Sequence, residues 1–315
     1  MINNLSKSII NYTHFGEIVQ GVFKSVSNSK CAISFPININ KKKINLYRKK
    51  EYYKDGFKFA DISCVANYNS NNKFSITPRK YLKSKLLINL LIKKYKIKKI
   101  NGNIEVINKI PVCRGLGSST ASLVSVVSLI KKLTKIKISK YQILKLCASI
   151  EPTDPILIND ICLFSTIEGS MKKKLNFKLP KLIIYGIDTD LKGGGINTVK
   201  MKDINYSRSE LLFFEKSLKK LLKLKRYDEK VLSKICLKSL KINQKYYPKK
   251  KFDEVMKLER YLTNDFVIGA HSGTMMGFVY KYEKNSGKKF KAKDEKILNL
   301  ISKKLNSPII KYLYV

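Results

Sequence analysis

The sequence contains no tryptophan and only two histidines. The two histidines lie far apart and form no recognisable zinc-site spacing with the cysteines. The six cysteines are widely spaced, without a Cys-x-x-Cys pair. Because no secretory signal precedes them, we expect free thiols in a reducing cytoplasm.

Long apolar runs are also missing. No apolar segment reaches the roughly 20 residues that a membrane span needs, and the N-terminus lacks the apolar region and cleavage site of a signal peptide. Hydrophobic residues still make up 44% of the 315 residues, which excludes a disordered chain. We therefore expect a cytoplasmic protein that does not bind membranes and folds as two lobes.

Acidic residues are scarce, with 23 against 64 basic residues, and the net charge is +41. Such a charge suggests nucleic-acid binding. However, only six of the basic residues are arginine, and the lysines are spread along the whole chain. Lysine, isoleucine and asparagine share adenine/thymine-rich codons, so genome composition can produce the bias without selection for binding. We expect no specific nucleic-acid partner, although polyanions should bind non-specifically at low salt.

A glycine- and serine-rich turn connects an apparent strand, 104–110, to a helix that extends to about Leu133. Gly115 and Gly117 permit a tight backbone turn close to a ligand. Ser118, Ser119 and Thr120 are expected to cap the helix. The positive end of that helix then faces the turn, which is typical of a phosphate site. The alternative is a capped loop without a ligand.

Two carboxylates, Glu151 and Asp154, follow the next predicted helix, 139–150, and two prolines restrict the backbone around them. If both approach the phosphate loop, one can bind Mg²⁺ and the other can contact an attacking hydroxyl. The alternative is an Asx-type turn.

Two more glycine-containing segments carry polar side chains. In 16–21, Glu17 and Gln20 lie between glycines, which indicates either a hairpin corner or a site for an amino or hydroxyl group. In 267–280, three glycines flank small polar residues and His271, which is either structural or catalytic. A triple glycine at 193–195 is typical of a flexible turn.

The remaining pattern mixes strands and helices, with a basic, loop-like segment at 171–180 that marks a lobe boundary. On the predicted helix 78–95, the buried side is expected to contain Leu82, Leu86, Ile88, Leu90 and Leu91. Further helices are predicted at 209–224, 231–247, 252–262 and 294–305. Further strands are predicted at 31–37, 41–45 paired with 57–64, 162–169, 182–187, 278–280 and 309–315.

Pro111 with Gly115-Leu-Gly-Ser-Ser119 resembles the phosphate-binding motif of the GHMP small-molecule kinases. The segments 16–21, 151–154 and 270–273 are similar to those of the L-threonine kinase branch, which acts in cobalamin side-chain synthesis. The resemblance extends from about Gly16 to Tyr280. It departs from the family at Tyr12-Thr-His, where the relatives tend to have Pro and Cys.

This resemblance implies an α+β, two-lobed GHMP kinase fold. Residues 1–175 would form the ATP-binding lobe, similar to ribosomal protein S5 domain 2, and residues 176–315 a ferredoxin-like C-terminal lobe. It also implies ATP-dependent phosphorylation of the side-chain hydroxyl of L-threonine or a similar small hydroxylated amino acid, with ATP and Mg²⁺. The alternatives are an inactive ATP-binding relative or a kinase for another small alcohol such as homoserine.

The resemblance assigns site residues by position. Ser119 and Glu151 would bind the metal, and Asp154, with Ser119 as the second catalytic residue, would act as base or orient the hydroxyl. The residues implied for the nucleotide are Pro111, Arg114, Gly115, Leu116, Gly117, Ser118, Ser119 and Thr120. The residues implied for the amino-acid substrate are Glu17, Gln20, His271, Ser272 and Gly273.

Overall fold

The structure, a computed structural model, describes residues 7–36, 57–70, 73–78, 82–98, 100–196, 204–281 and 292–314. Its helices are α1 (Leu82–Tyr95), α2 (Ser118–Thr134), α3 (Lys140–Ala148), α4 (Arg208–Lys223), α5 (Glu229–Tyr246), α6 (Phe252–Glu259) and α7 (Ala292–Leu305). Its strands are β1 (Lys7–Tyr12), β2 (His14–Phe23), β3 (Ser27–Pro36), β4 (Lys58–Phe59), β5 (Ser63–Asn69), β6 (Ser75–Thr77), β7 (Asn103–Asn108), β8 (Cys162–Ser165), β9 (Ser170–Lys174), β10 (Leu182–Asp188), β11 (Phe266–Gly269), β12 (Met275–Lys281) and β13 (Ile310–Tyr314).

A small sheet has the strand order β1-β5-β7-β6. Its strands pair antiparallel except for β6 and β7, which are parallel. Helix α2 packs against β1, β5 and β7. Its small residues permit this close approach, and the Ser125 hydroxyl donates to the Cys64 carbonyl at 3.2 Å. The glycine loop before α2 is therefore held between this sheet and the rest of the molecule.

A second sheet has nine strands in the order β4-β13-β10-β12-β11-β2-β3-β8-β9. It contains strands from both sides of the predicted boundary at 175/176, and β11 meets β2 where Gly269 lies opposite Glu17. The division into lobes stays a prediction. The sheet nevertheless brings two predicted site segments, 16–21 and 270–273, next to each other.

Several strand predictions are wrong. The segment 16–21 is not a hairpin corner, because it lies inside β2. The segment 171–180 is not all loop, because β9 pairs antiparallel with β8. Residues 57–64 do not form one strand: they divide between β4, which runs parallel to β13, and β5 in the other sheet. The predicted strand 41–45 lies outside the described residues.

The predicted helices are present. Ser139 caps α3 in a reciprocal capping box with Gln142, as its sequence position predicts. The predicted buried side of α1 is partly wrong: Leu82, Leu86 and Leu90 are exposed, whereas Leu87, Ile88 and Leu91 are buried.

All six cysteines are free thiols, and all but Cys113 are buried. Within the described part of the chain, no helix combines the length and apolarity that crossing a bilayer requires.

Candidate active site

The loop between β7 and α2 has the left-handed backbone that its glycines permit, with φ of 76° at Gly115 and 68° at Gly117. A Cβ on Gly117 would lie 2.7 Å from Thr13 Oγ1 and 3.0 Å from Asp154 Oδ2. The Thr13 hydroxyl donates to the Leu116 carbonyl. Backbone conformation and close packing thus both require glycine at position 117.

Helix α2 begins with Gly117 as its N-cap, and no side chain accepts from its first N–H groups. The Ser118 hydroxyl donates to the Ile110 carbonyl at 3.2 Å, and the Thr120 hydroxyl accepts from the Asp154 N–H at 3.2 Å. The prediction that these hydroxyls cap the helix is therefore wrong. Because its N–H groups lack a side-chain acceptor, the positive end of the helix can bind a phosphate.

Glu151 lies against the first turn of α2. The Ser119 hydroxyl donates to one of its carboxylate oxygens, and the Lys83 ammonium of α1 pairs with the other. No group of three or more His, Cys, Asp or Glu side chains in the described ranges forms a metal site by itself. Mg²⁺ typically uses one or two carboxylates and completes its shell with substrate phosphates and water. The oxygens of Glu151 and Ser119 fit such an ion.

Asp154 lies beside His14 at the start of β2, with 3.4 Å between Oδ1 and Nε2. Its other oxygen is 3.4 Å from the Thr120 hydroxyl. Burial lowers the pKa of the His14 imidazole, but the Asp154 carboxylate outweighs burial and raises that pKa to about 9. At neutral pH a protonated imidazole therefore faces Asp154.

Glu17 and His271 are buried and bind each other. Glu17 Oε2 accepts from the His271 N–H at 2.8 Å and lies 3.0 Å from its Nδ1. Burial raises the pKa of the Glu17 carboxyl, but the hydrogen bonds from His271 outweigh burial and lower it. His271 Nε2 is 2.7 Å from the Ser239 hydroxyl of α5. Direct substrate contact by Glu17 or His271 stays a prediction, and neither residue lines the cavity in front of the phosphate loop.

Helix α5 holds the same loop through Asn243, which donates to the His271 carbonyl at 2.7 Å. The side-chain oxygen Oδ1 of Asn243 accepts from the Lys249 ammonium at 3.2 Å. Lys249 is buried, and burial lowers its pKa to about 8, although the charge of Glu17 partly opposes this. The position of loop 270–273 thus depends on polar side chains distant in sequence.

A cavity of about 690 Å³ opens in front of the phosphate loop. Among the predicted substrate residues, Gln20 and Ser272 line it, whereas Glu17, His271 and Gly273 do not. Its described lining residues are Gln20, Val22, Ser29, Lys30, Lys83, Pro111, Val112, Cys113, Gly115, Leu116, Gly117, Ser118, Ser119, Thr120, Glu151, Pro152, Asp154, Thr166, Ile167, Ile196, Ile204, Tyr206, Tyr247 and Ser272. The nucleotide, metal and acceptor candidates therefore share one cavity.

Arg114 does not line this cavity. Its Nε lies 2.6 Å from the Asp188 carboxylate, and its guanidinium also donates to the Gly193 carbonyl at 2.8 Å. Arg114 thus ties the phosphate loop to the loop after β10. Contact between Arg114 and a nucleotide stays a prediction that this geometry does not favour.

Two residues that bind the predicted carboxylates were not predicted from the sequence: His14 pairs with Asp154, and Lys83 pairs with Glu151. The sequence contains a feature that could have identified His14 as a site residue, because it is one of two histidines and lies two residues before Gly16. No comparable sequence feature distinguishes Lys83 from the other lysines.

Residues 80–158 match the family model described as GHMP kinases N terminal domain. No curated protein sequence matches the chain. The fold is similar to mevalonate kinase from Methanococcus jannaschii, at 13% identity over 98% of each chain with a TM-score of 0.62. It is also similar to Streptococcus pneumoniae phosphomevalonate kinase in complex with phosphomevalonate and AMPPNP, at 11% identity over 98% of this chain and 99% of that chain (TM-score 0.64).

A third similar structure is homoserine kinase from Cytophaga hutchinsonii, at 13% identity over 100% of this chain and 96% of that chain, with a TM-score of 0.54. At these identities the likeness shows the fold. The matched family segment contains the glycine loop, α2, Glu151 and Asp154. The chain therefore has the α+β fold of the GHMP kinases, and its residues 80–158 match the model of their N-terminal domain.

Proposed function

We propose that this protein is an ATP-dependent kinase for a small hydroxylated amino acid, with L-threonine as the first acceptor to test. One observation carries the proposal. The N-terminus of α2, which no side chain caps, and the Asp154 carboxylate beside His14 meet in the same cavity. Phosphoryl transfer needs a phosphate held in place and a hydroxyl aligned with it, and these two elements supply both functions.

The phosphate side is built from backbone. Gly115 and Gly117 allow the chain to pass close to the phosphates, and the first N–H groups of α2 donate to them. Ser119 and Glu151 would hold Mg²⁺ at the same place. When bound, that ion neutralises phosphate charge during transfer. Lys83, already paired with Glu151, adds a positive charge at this end of the cavity.

The acceptor side depends on Asp154. A threonine hydroxyl has a very high pKa, so Asp154 need not deprotonate it before attack. It can orient the oxygen and accept the proton late in the reaction. The ion pair with His14 holds this carboxylate in one position.

Support for an amino acid as acceptor comes from the segments that are similar to L-threonine kinases, with Gln20 and Ser272 on the cavity wall. A homoserine kinase shares the fold. The same geometry also suits homoserine or serine, so the acceptor is tested as a panel.

The test is incubation with ATP, Mg²⁺ and single acceptors: L-threonine, L-serine, L-homoserine, mevalonate and neutral alcohols. ADP release and the phosphorylated product would be followed by coupled assay and ³¹P NMR. We expect an O-phospho amino acid. Transfer only to other alcohols would contradict the amino-acid assignment. ATP binding without transfer to any acceptor would identify an inactive relative.

A further inference from the structure

The loop 270–273 is in direct contact with the phosphate loop. A Cβ on Gly273 would overlap the Arg114 carbonyl and the Gly115 nitrogen. A Cβ on Gly115 would lie 2.5 Å from the Ala270 Cβ and 2.9 Å from the Gly273 Cα. Because no space for a methyl group separates the two backbones, the position of loop 270–273 limits the position of Gly115.

Glu17 of β2 holds this loop through His271. A single carboxylate oxygen, Oε2, accepts from the His271 N–H at 2.8 Å and lies 3.0 Å from Nδ1. Burial raises the pKa of Glu17, but the hydrogen bonds from His271 outweigh burial and lower it. A carboxylate only accepts, so Nδ1 carries a proton and donates to it. One oxygen therefore holds both the backbone and the ring of His271.

The other ring nitrogen connects His271 to the opposite wall of the cavity. Its Nε2 lies 2.7 Å from the Ser239 hydroxyl, whose oxygen accepts from the Gln20 N–H at 3.4 Å. Gln20 lines the cavity, as does Ser272 next to His271. Glu17, His271 and Ser239 are each at most 2% exposed. Because these groups are buried, the loss of one partner leaves the other without a hydrogen bond to water.

We propose that Glu17 is a positioning residue for the nucleotide: through His271 it fixes loop 270–273 against Gly115, and thereby fixes the phosphate loop. This inference rests on the proposed kinase function, which assigns the nucleotide to that loop. It gives Glu17 a role in nucleotide binding although Glu17 is not among the described residues that line the cavity. Direct contact with the acceptor would affect a different ligand, so the two roles can be measured separately.

The test compares two replacements of Glu17 of similar length. Glu17→Met removes both hydrogen bonds, whereas Glu17→Gln can keep both, because its one amide oxygen can take the position of Oε2. We expect Glu17→Met to lower AMPPNP affinity by about tenfold or more, the value of a lost charge-assisted hydrogen bond. Glu17→Gln should regain most of this affinity. Calorimetry with Mg²⁺, below the unfolding temperature of each variant, measures the binding, and steady-state kinetics give the KM of the best acceptor.

Glu210→Met is the matched control, because it makes the same change at another buried glutamate. Glu210 lies on α4 and binds Ser207, Lys245 and Tyr246, none of which is among the described lining residues of the cavity. Its loss should lower the unfolding temperature and leave AMPPNP affinity at the wild-type value. The control thus separates a positioning effect from a general loss of stability.

Wild-type AMPPNP affinity in Glu17→Met, or equal losses in Glu17→Met and Glu17→Gln, would overturn the proposal. An equal loss in Glu210→Met would also overturn it, as would an effect confined to the KM of the acceptor, which would place Glu17 in the acceptor site. These outcomes leave the kinase function intact. AMPPNP binding without transfer to any acceptor would contradict the kinase function alone, and a wild type that does not bind AMPPNP would overturn both.

Discussion

Asp154 is the residue on which the proposed chemistry depends most directly. Its carboxylate lies between the His14 imidazole and the Thr120 hydroxyl and still lines the cavity. Two fixed neighbours restrict its rotamer. The exposed part can therefore approach an acceptor hydroxyl in one orientation.

Asp154→Asn should lower kcat by about 100-fold or more, because the amide cannot accept the proton. AMPPNP affinity should change little, since the phosphate contacts come from α2. Steady-state kinetics and AMPPNP titration measure the two effects. Asp160→Asn is the control, because Asp160 is half exposed, pairs with Lys174 and does not line the cavity. Full activity of Asp154→Asn would remove this residue from the mechanism.

His14 should be visible by NMR, because the protein has only one other histidine. We expect one imidazole to titrate at a pH of about 9, since Asp154 stabilises its charged form. In Asp154→Asn the same resonance should titrate lower, because burial is then opposed only by the smaller effects of Glu17 and the Gly16 backbone. A His14 pKa near 6.5 in the wild type would contradict the ion pair.

The raised pKa of His14 also predicts how stability depends on pH. A group whose folded pKa exceeds its unfolded value contributes stability that is complete below the unfolded value, near 6.5, and is lost as the pH rises through about 9. The wild type should therefore exceed His14→Gln in unfolding free energy at pH 6, and this difference should shrink by pH 10. Urea unfolding at both pH values measures it. A difference that grew with pH would contradict the assignment.

Among the elements, the turn into α2 restricts its residue types most strongly, because it combines positive φ values with close contacts from β2 and Asp154. Gly117→Ala should weaken AMPPNP binding at least about tenfold, since a left-handed alanine costs ~1–2 kcal/mol before any clash. Gly194→Ala is a matched control, because nothing lies within 4 Å of its added Cβ. Wild-type affinity in Gly117→Ala would show that the turn tolerates a side chain.

Helix α5 is the second element that shapes the site, although it contributes no lining residue. Ser239→Ala would leave His271 Nε2 buried without its partner, so unfolding free energy should fall by about 1–3 kcal/mol. Ser233→Ala, on the same helix and partly exposed, should be nearly neutral. Thermal or urea unfolding compares them. Equal stability of the two variants would mean that the Ser239 contact contributes little.

At the scale of the whole molecule, the nine-stranded sheet and the ion pairs Arg114–Asp188 and Glu17–His271 join segments from the two ends of the chain. The nine-stranded sheet joins β2 to β11, and Arg114 joins the phosphate loop to Asp188. Gln20 and Ser272, which are distant in sequence, therefore line one cavity. Any change in how these parts pack would alter the nucleotide and acceptor sides together.

The net charge of +41 also acts at this scale. We expect single-stranded DNA to bind at 50 mM salt and to lose about a thousandfold or more in affinity by 200 mM, because the attraction comes from counterion release. Fluorescence anisotropy with two unrelated sequences of equal length measures this. Tight binding at 200 mM that distinguishes the two sequences would instead indicate a specific nucleic-acid function.

Local patterns predicted the helices well, because amphipathic spacing and caps such as Ser139 act within a few residues. Strand pairing was harder to predict from the sequence than the helices were. Residues 57–64 alternate like one strand, yet they divide between two sheets because their partners are distant in sequence. The sequence shows which residues of α1 are apolar, but which of them face the core depends on where α2 lies.

The sequence by itself determined the strand, glycine turn and helix of the phosphate site, along with the Glu151 and Asp154 pair, because these depend on backbone freedom and side-chain chemistry at short spacing. Only the tertiary structure decided that Glu17 and His271 bind each other, that Arg114 ties two loops together, that His14 pairs with Asp154 and that Lys30 lines the cavity. The physical reason is that the role of a charged side chain depends on its partners and on its burial. Pairing between strands that are distant in sequence determines the partners and the burial.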